Sequence, residues 1–156
     1  MFVTNHVLSG VVIGRVLEQR PVTAFVVGVA SHLALDMVPH WGCQLRTVPD
    51  WQQFLRYAQR DGILGLVTAL GALAAVDRRV RLATLAAIAG ATLLDADKPA
   101  MYFWRKNPFP RAVRRVHAWA QNESPEGMSN EIVFGVSCAL ADAVIAVQSR
   151  RRVVAP

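Results

Sequence analysis

The sequence predicts an all-α chain: an up-and-down bundle of about five helices, with two long connections at the end that bears its polar residues. Three observations carry this expectation. Five apolar segments, about 3–17, 22–38, 62–76, 82–96 and 131–147, are built mostly from Ala, Val, Leu, Ile and Gly. The third and fourth have no polar face, and a helix that is apolar all round belongs in a large core or a membrane. The links also alternate in length: short basic turns follow the first, third and fifth segments, and long connections, about 39–61 and 97–130, follow the second and fourth. Short links join antiparallel neighbours.

The first segment opens with His6 and carries Gly10-x-x-x-Gly14, a spacing that allows close helix approach. Its start lacks a basic region and His6 interrupts the apolar run, which argues against a cleaved signal peptide. The second segment ends in Ser31-His32-Leu33-Ala34-Leu35-Asp36-Met37-Val38-Pro39-His40-Trp41. His32, Asp36 and His40 are four residues apart, so on a continuous helix they share one face, although Pro39 tends to end the helix before His40. Asp61 opens the third segment, Asp95 and Asp97 close the fourth, and Glu131 opens the fifth. Asp142 lies about three turns into the fifth, away from that end, where an arginine of the basic turns is its expected partner.

Composition bounds the class. At 156 residues the chain is one domain, 53% hydrophobic and only 18% charged, with a net charge of +6. Of its 17 basic residues only Lys98 and Lys106 are lysines, an arginine bias that fits a GC-rich bacterial genome. A packed soluble domain of this size has little room for several fully surrounded helices, so a multipass bacterial membrane protein is the leading expectation. A compact soluble helical domain, cytoplasmic, is the alternative. The runs are short for spans, which usually need about 20 residues; polar ends and local bilayer thinning would make up the difference. The basic balance points to anionic partners, lipid head groups in a membrane, with nucleic acid as the partner of the soluble alternative. The short basic turns would face the cytoplasm, although the long connections hold nine of the 17 cations. Trp51–Tyr57 and Met101–Lys106 mix aromatics with cations, as interfacial segments do. Cys43 and Cys138 sit in unlike contexts and suggest no disulfide framework.

The topology gathers chemistry at one end. His6, His32, Asp36, His40, Asp61, Asp95 and His117 become candidate metal ligands, and Asp97 or Glu131 a candidate general base. Imidazoles and carboxylates converging from apolar surroundings are costly unless compensated, most directly by a divalent ion. Mixed His and carboxylate donors suit zinc or another first-row ion, one or two in number. Simpler readings stand beside these: His6 as a satisfied polar helix end, His32 and Asp36 as a hydrogen-bonded pair, Asp61 as a helix cap, Asp97 as an ion pair with Lys98, His117 as a surface histidine, Glu123 and Glu131 as helix-start acids.

Thr4-Asn5-His6-x-x-x-Gly10, Ser31-His32-x-x-Leu35-Asp36-x-x-Pro39-His40 and Leu93-Leu94-Asp95-Ala96-Asp97-Lys98-Pro99 resemble the bacterial membrane-bound metal-dependent hydrolases. More distantly, His32-x-x-x-Asp36 is similar to the His-x-x-x-Asp of helical zinc-dependent phospholipases C and single-strand-specific zinc nucleases, where both residues bind zinc. The resemblance covers about a quarter of the chain. It implies metal binding at these helix ends and metal-activated hydrolysis of a phosphoester or acyl bond, of a lipid by location. A non-catalytic metal site with a structural, sensing or recruiting role, and a soluble phosphodiesterase acting on nucleic acid, remain the competing expectations.

Overall fold

Small residues set how closely the helices of this protein approach. The computed structural model describes residues 1–42 and 51–154, with side chains described throughout except at 51, 53, 54 and 150–154. Among them are seven α-helices: α1 (Val3–Leu17), α2 (Pro21–Asp36), α3 (Trp51–Ala75), α4 (Arg78–Thr92), α5 (Asp97–Trp104), α6 (Arg111–Ala120) and α7 (Met128–Val154). A 3-10 turn, Leu93–Ala96, joins α4 to α5, and two short strands, β1 (His40–Trp41) and β2 (Glu123–Ser124), pair in parallel. The all-α expectation therefore holds. The five apolar segments all lie on helices, and the long connections add α5, α6 and an N-terminal extension of α3.

Helix α4 runs between α1 and α2 at backbone contact. A Cβ on Gly14 would fall 2.2 Å from Thr84 Cα, one on Gly28 would fall 2.4 Å from the Ala87 carbonyl oxygen, and one on Gly90 would fall 2.2 Å from the Phe25 carbonyl oxygen. Ala24, Ala83, Ala87 and Ala91 are fully buried along the same seams. Val7, Val11 and Ile88 form a second cluster, against which Val3, Ala69, Ala72 and Leu73 pack. Such close approach gains dispersion contacts without large side chains, as in helices packed within lipid. At the end remote from the histidines, Arg15 pairs with Asp142, the partner expected for that acid.

The segment after α2 is held by a clasp from the α6–α7 connection. Asn122 N–H donates to the Asp36 carbonyl (2.9 Å), and His40 N–H donates to the Asn122 carbonyl (3.1 Å). Asn130 Nδ2 donates to the Pro39 carbonyl at 2.6 Å, and a Cβ on Gly127 would overlap the His40 backbone. As Pro39 dictates, α2 stops at Asp36, so His40 leaves the helical face shared by His32 and Asp36.

The large side chains face outward. Val22 (78% exposed) on α2, Ile63 (65%) on α3, Leu82 (62%) on α4 and Val133 (65%) on α7 all point away from the bundle. One helical stretch among the described residues, Met128–Ser149, is long and apolar enough to cross a membrane; α1 and α2 are apolar but shorter. At about 1.5 Å per residue, helices of 15 and 16 residues rise about 22–24 Å. Cys138 is a free thiol, and Cys43 lies outside the described residues.

The seams make a direct prediction. Gly28→Leu is expected to destabilise the fold by about 3 kcal/mol or more, because a side chain must displace the α4 backbone. Gly62→Ala, at a helical position with nothing within 4 Å, is expected to be neutral or to gain up to about 1 kcal/mol. Chemical denaturation of the purified protein checks both; equal stability of the two variants would contradict the packing described.

Candidate metal centre

The centre begins with how α1 is held. Helix N-termini leave their first N–H groups without intrahelical partners. Here two acids from other helices supply them. Asp61 of α3 accepts from Val3 N (2.7 Å), Thr4 N (3.1 Å) and Thr4 Oγ1 (2.6 Å). Glu131 of α7 accepts from Phe2 N at 3.1 Å and from Asn5 Nδ2 at 2.6 Å. Both charges also suit the positive end of the helix dipole. This anchoring fixes His6 one turn further on, fully buried, with no hydrogen bond at either ring nitrogen.

The last turn of α2 supplies His32 and Asp36, both fully buried. His32 Nδ1 lies 2.7 Å from the Ala91 carbonyl, which can only accept, so Nδ1 is the donor there and Nε2 is turned into the centre. That Nε2 sits 3.1 Å from Asp36 Oδ2 and 3.1 Å from His117 Nε2. The His6 and His32 rings stack with centroids 4.1 Å apart. Asp36 Oδ1 lies 3.2 Å from His6 Nε2, too poorly aligned for a hydrogen bond, and accepts from the Met1 amino group at 2.7 Å.

Asp95, in the 3-10 turn, directs Oδ2 to within 3.8 Å of His6 Nε2 and pairs through Oδ1 with Lys98 at 2.8 Å. His117 comes from α6, with Nε2 3.4 Å from Asp36 Oδ2 and Nδ1 3.7 Å from Asp97 Oδ2. Burial alone would discourage protonation of His117, but hydrogen bonding to Asp36 and the Asp97 carboxylate outweigh it and lift its pKa from 6.5 to about 9. Gln121, one turn beyond, donates to Asp36 Oδ2 at 2.6 Å.

The donor set can be tested against a metal. Four donors held about 2.0–2.1 Å from one tetrahedral ion lie about 3.3–3.4 Å apart. The trio His32 Nε2, His117 Nε2 and Asp36 Oδ2 has sides of 3.1, 3.1 and 3.4 Å. Two groups, His6–His32–Asp36 and His32–Asp95–His117, each bring their ligand atoms within 4.8 Å of one another. His6 Nδ1 and Nε2, Asp95 Oδ2 and Asp97 Oδ1 are buried polar atoms without hydrogen-bond partners. Orphaned donors at ligand spacing fit a first-row divalent ion such as zinc. The Ala91 carbonyl behind His32 and, at the longer 3.7 Å, Asp97 behind His117 stand where outer partners orient metal-binding imidazoles.

Five of the seven expected ligands thus meet: His6, His32, Asp36, Asp95 and His117. The other two have different work. Asp61 has both oxygens committed to the α1 N-terminus, a cap of α1 rather than of its own helix. His40 lies beside the cluster, with Nδ1 2.9 Å from the Val38 carbonyl and Nε2 3.2 Å from Gln121 Oε1. Glu131, one of two expected bases, is likewise occupied by Phe2 and Asn5. Asp97 stays at the edge of the centre. Sequence reasoning missed Gln121, a neutral amide with no periodic signature, and gave Asn5 no role although it stands in the motif around His6. It also paired Lys98 with Asp97, whereas the i, i+3 partner Asp95 takes it.

A raised His117 pKa would make any metal uptake at this centre pH-dependent. At pH 7 the metal-free ring is protonated, so binding at Nε2 must displace a proton. Apparent affinity should therefore rise by up to about tenfold per pH unit between pH 6.5 and 9 and flatten above that. Isothermal titration in buffers of different ionisation enthalpy should count about one proton released per ion at pH 7; a pH-independent affinity would remove His117 from the ligand set. In the metal-free fold, the stabilising charge on His117 is fully present below pH 6.5 and is lost as pH rises through about 9.

No protein-family model, curated protein or solved structure matches this chain.

Proposed function

We propose that this chain is a membrane-bound, metal-dependent hydrolase whose reacting centre lies at one end of a multipass bundle, in keeping with the bacterial membrane family that its motifs resemble. The observation that carries the metal reading is the convergence of three imidazoles and two carboxylates, from α1, α2, the 3-10 turn and α6, at ligand-to-ligand spacing in a buried setting. The membrane reading is supported by polarity turned inside out: large apolar side chains outside, and Asn5, His6, His32, Asp36 and Asp95 inside. The Met128–Ser149 stretch is of spanning length, and the shorter α1, α2 and α4 would need a thinned bilayer or burial behind α3 and α7.

His6, His32, Asp36, Asp95 and His117 would hold the ion or ions, with Asp36 offering one oxygen to each of two groups. A divalent ion held there supplies Lewis acidity, lowering the pKa of a coordinated water and polarising an ester oxygen. The chain's own residues do the rest. Asp97 orients His117 through Nδ1, and its Oδ1, buried and without a partner, is the carboxylate placed to take a proton from water. Hydrolysis then forms a bond from the water oxygen to phosphorus or an acyl carbon as the ester bond breaks, and the proton returns to the leaving oxygen. Lipid is the substrate class that membrane location favours.

A second reading, a structural ion locking helix ends, is favoured by donor number: five side chains can fill one coordination shell without water. Two measurements separate the readings. Detergent-purified protein is expected to hold one or two equivalents of metal by mass spectrometry, falling to about one tenth in His32→Ala and Asp36→Asn; a metal-free native chain would end both. Asp97→Asn should keep its metal yet lose about 100-fold in turnover of bis(p-nitrophenyl) phosphate or p-nitrophenyl butyrate. Metal without turnover in the native chain would leave the structural reading standing.

A further inference from the structure

A cleft of about 560 Å³ opens beside the centre, with His117 and Gln121 at its inner side. Its walls carry Arg111, Arg114 and Arg115 of α6 together with Lys98 of α5. Arg114, Arg115 and Ala118 follow Arg111 by three, four and seven residues, and Arg114 precedes His117 by three, which places one strip of α6 along the cleft. Among the described residues, none of the three guanidinium groups has an ion-pair or hydrogen-bond partner, and all three arginines are exposed. Like charges at such spacing destabilise a helix. They are held there although carboxylates serve as caps and ligands a short distance away. Asp97 and Glu123 also line the cleft and leave it net positive, four cations against two acids.

We propose that this arginine-lined cleft is the binding site for the anionic phosphate group of a phosphoester, and so narrows the substrate from esters in general to phosphoesters. The inference rests on the hydrolase reading for the position of the reacting centre. Guanidinium forks match phosphate oxygens in pairs of hydrogen bonds, whereas a neutral acyl ester gives them nothing to neutralise. Lys98 is half exposed and already paired with Asp95, so the arginines are the free recognition groups. The phosphate could belong to a lipid head group or to a soluble phosphoester. Exposed Trp119 on α6 and Phe103 and Trp104 on α5 give that end an aromatic rim suited to a lipid surface.

Inorganic phosphate is the direct probe, measured by equilibrium dialysis of radiolabelled phosphate against the detergent-purified full chain, with and without zinc. The native chain should bind phosphate with a millimolar or tighter Kd. Arg111→Gln/Arg114→Gln should weaken this by about tenfold or more while metal content and helicity stay unchanged, and Arg114→Lys should restore only part of it. Competition assigns the source: short-chain phosphatidylglycerol displacing phosphate better than glycerophosphoglycerol supports a lipid head group, and equal displacement supports a soluble phosphoester. Unchanged phosphate affinity in the double variant, or no binding at 10 mM, would overturn the proposal. A metal-free native chain would instead fail the hydrolase reading, which metal analysis on the same samples reports separately.

Discussion

A carboxylate with no access to water dominates this molecule. Asp36 closes α2 in the most protected part of the fold, where an unpaired charge costs several kcal/mol. Its two oxygens divide the surrounding elements between them. Oδ1 faces His6 and the amino group of Met1; Oδ2 faces His32, His117 and Gln121. The partners come from three stretches of chain, the start of α1, α2 itself and the end of α6, and those from outside α2 arrive only if their own elements are placed correctly. The capping of α1 by Asp61 and Glu131, the end of α2 ahead of Pro39 and the packing of α6 across the bundle end can all be read as requirements of that one charge. Removing it would leave several cationic or donor groups facing one another with nothing to reconcile them.

The bundle around this charge is built by close approach and not by bulk. Glycine and alanine line the seams of α1, α2 and α4, and apart from a small cluster around Val7, Val11 and Ile88 many of the leucines, valines and isoleucines that would fill a soluble core lie on the outside. In water such a surface would associate or aggregate. Within lipid the same distribution is self-consistent, because the solvent welcomes the apolar exterior while small-residue seams supply the van der Waals contact.

Much of this was legible in the sequence. Apolar runs of Ala, Val and Leu with glycine punctuation give the helices, and alternating link lengths put odd helix starts beside even helix ends. That topology brings His6 to His32, Asp36 and Asp95 across as many as 89 residues of chain. The failures share a cause. An acid at a helix end reads alike whether it binds an ion or caps a neighbouring helix, and only the spatial neighbour distinguishes Asp95 from Asp61 and Glu131. His40 shares the spacing of its neighbours but not their helix. Gln121 carries no charge and belongs to no pattern, so its place beside Asp36 follows from the route of the chain alone. Short amphipathic helices such as α5 and α6 are hidden inside a connection when apolar runs are the guide.

The clasp that binds residues 36–41 to residues 121–130 divides the centre mechanically. His6, His32, Asp36 and Asp95 are set by the bundle, whereas His117 and Gln121 are delivered by a segment tied on through a two-residue ladder and a few amide bonds. Local opening draws on the least protected hydrogen bonds first. An opening of that ladder would release His117 and Gln121 and leave the other four donors on the bundle. An ion held there would then be expected to exchange with the opening of that clasp and not with unfolding of the helices beneath it.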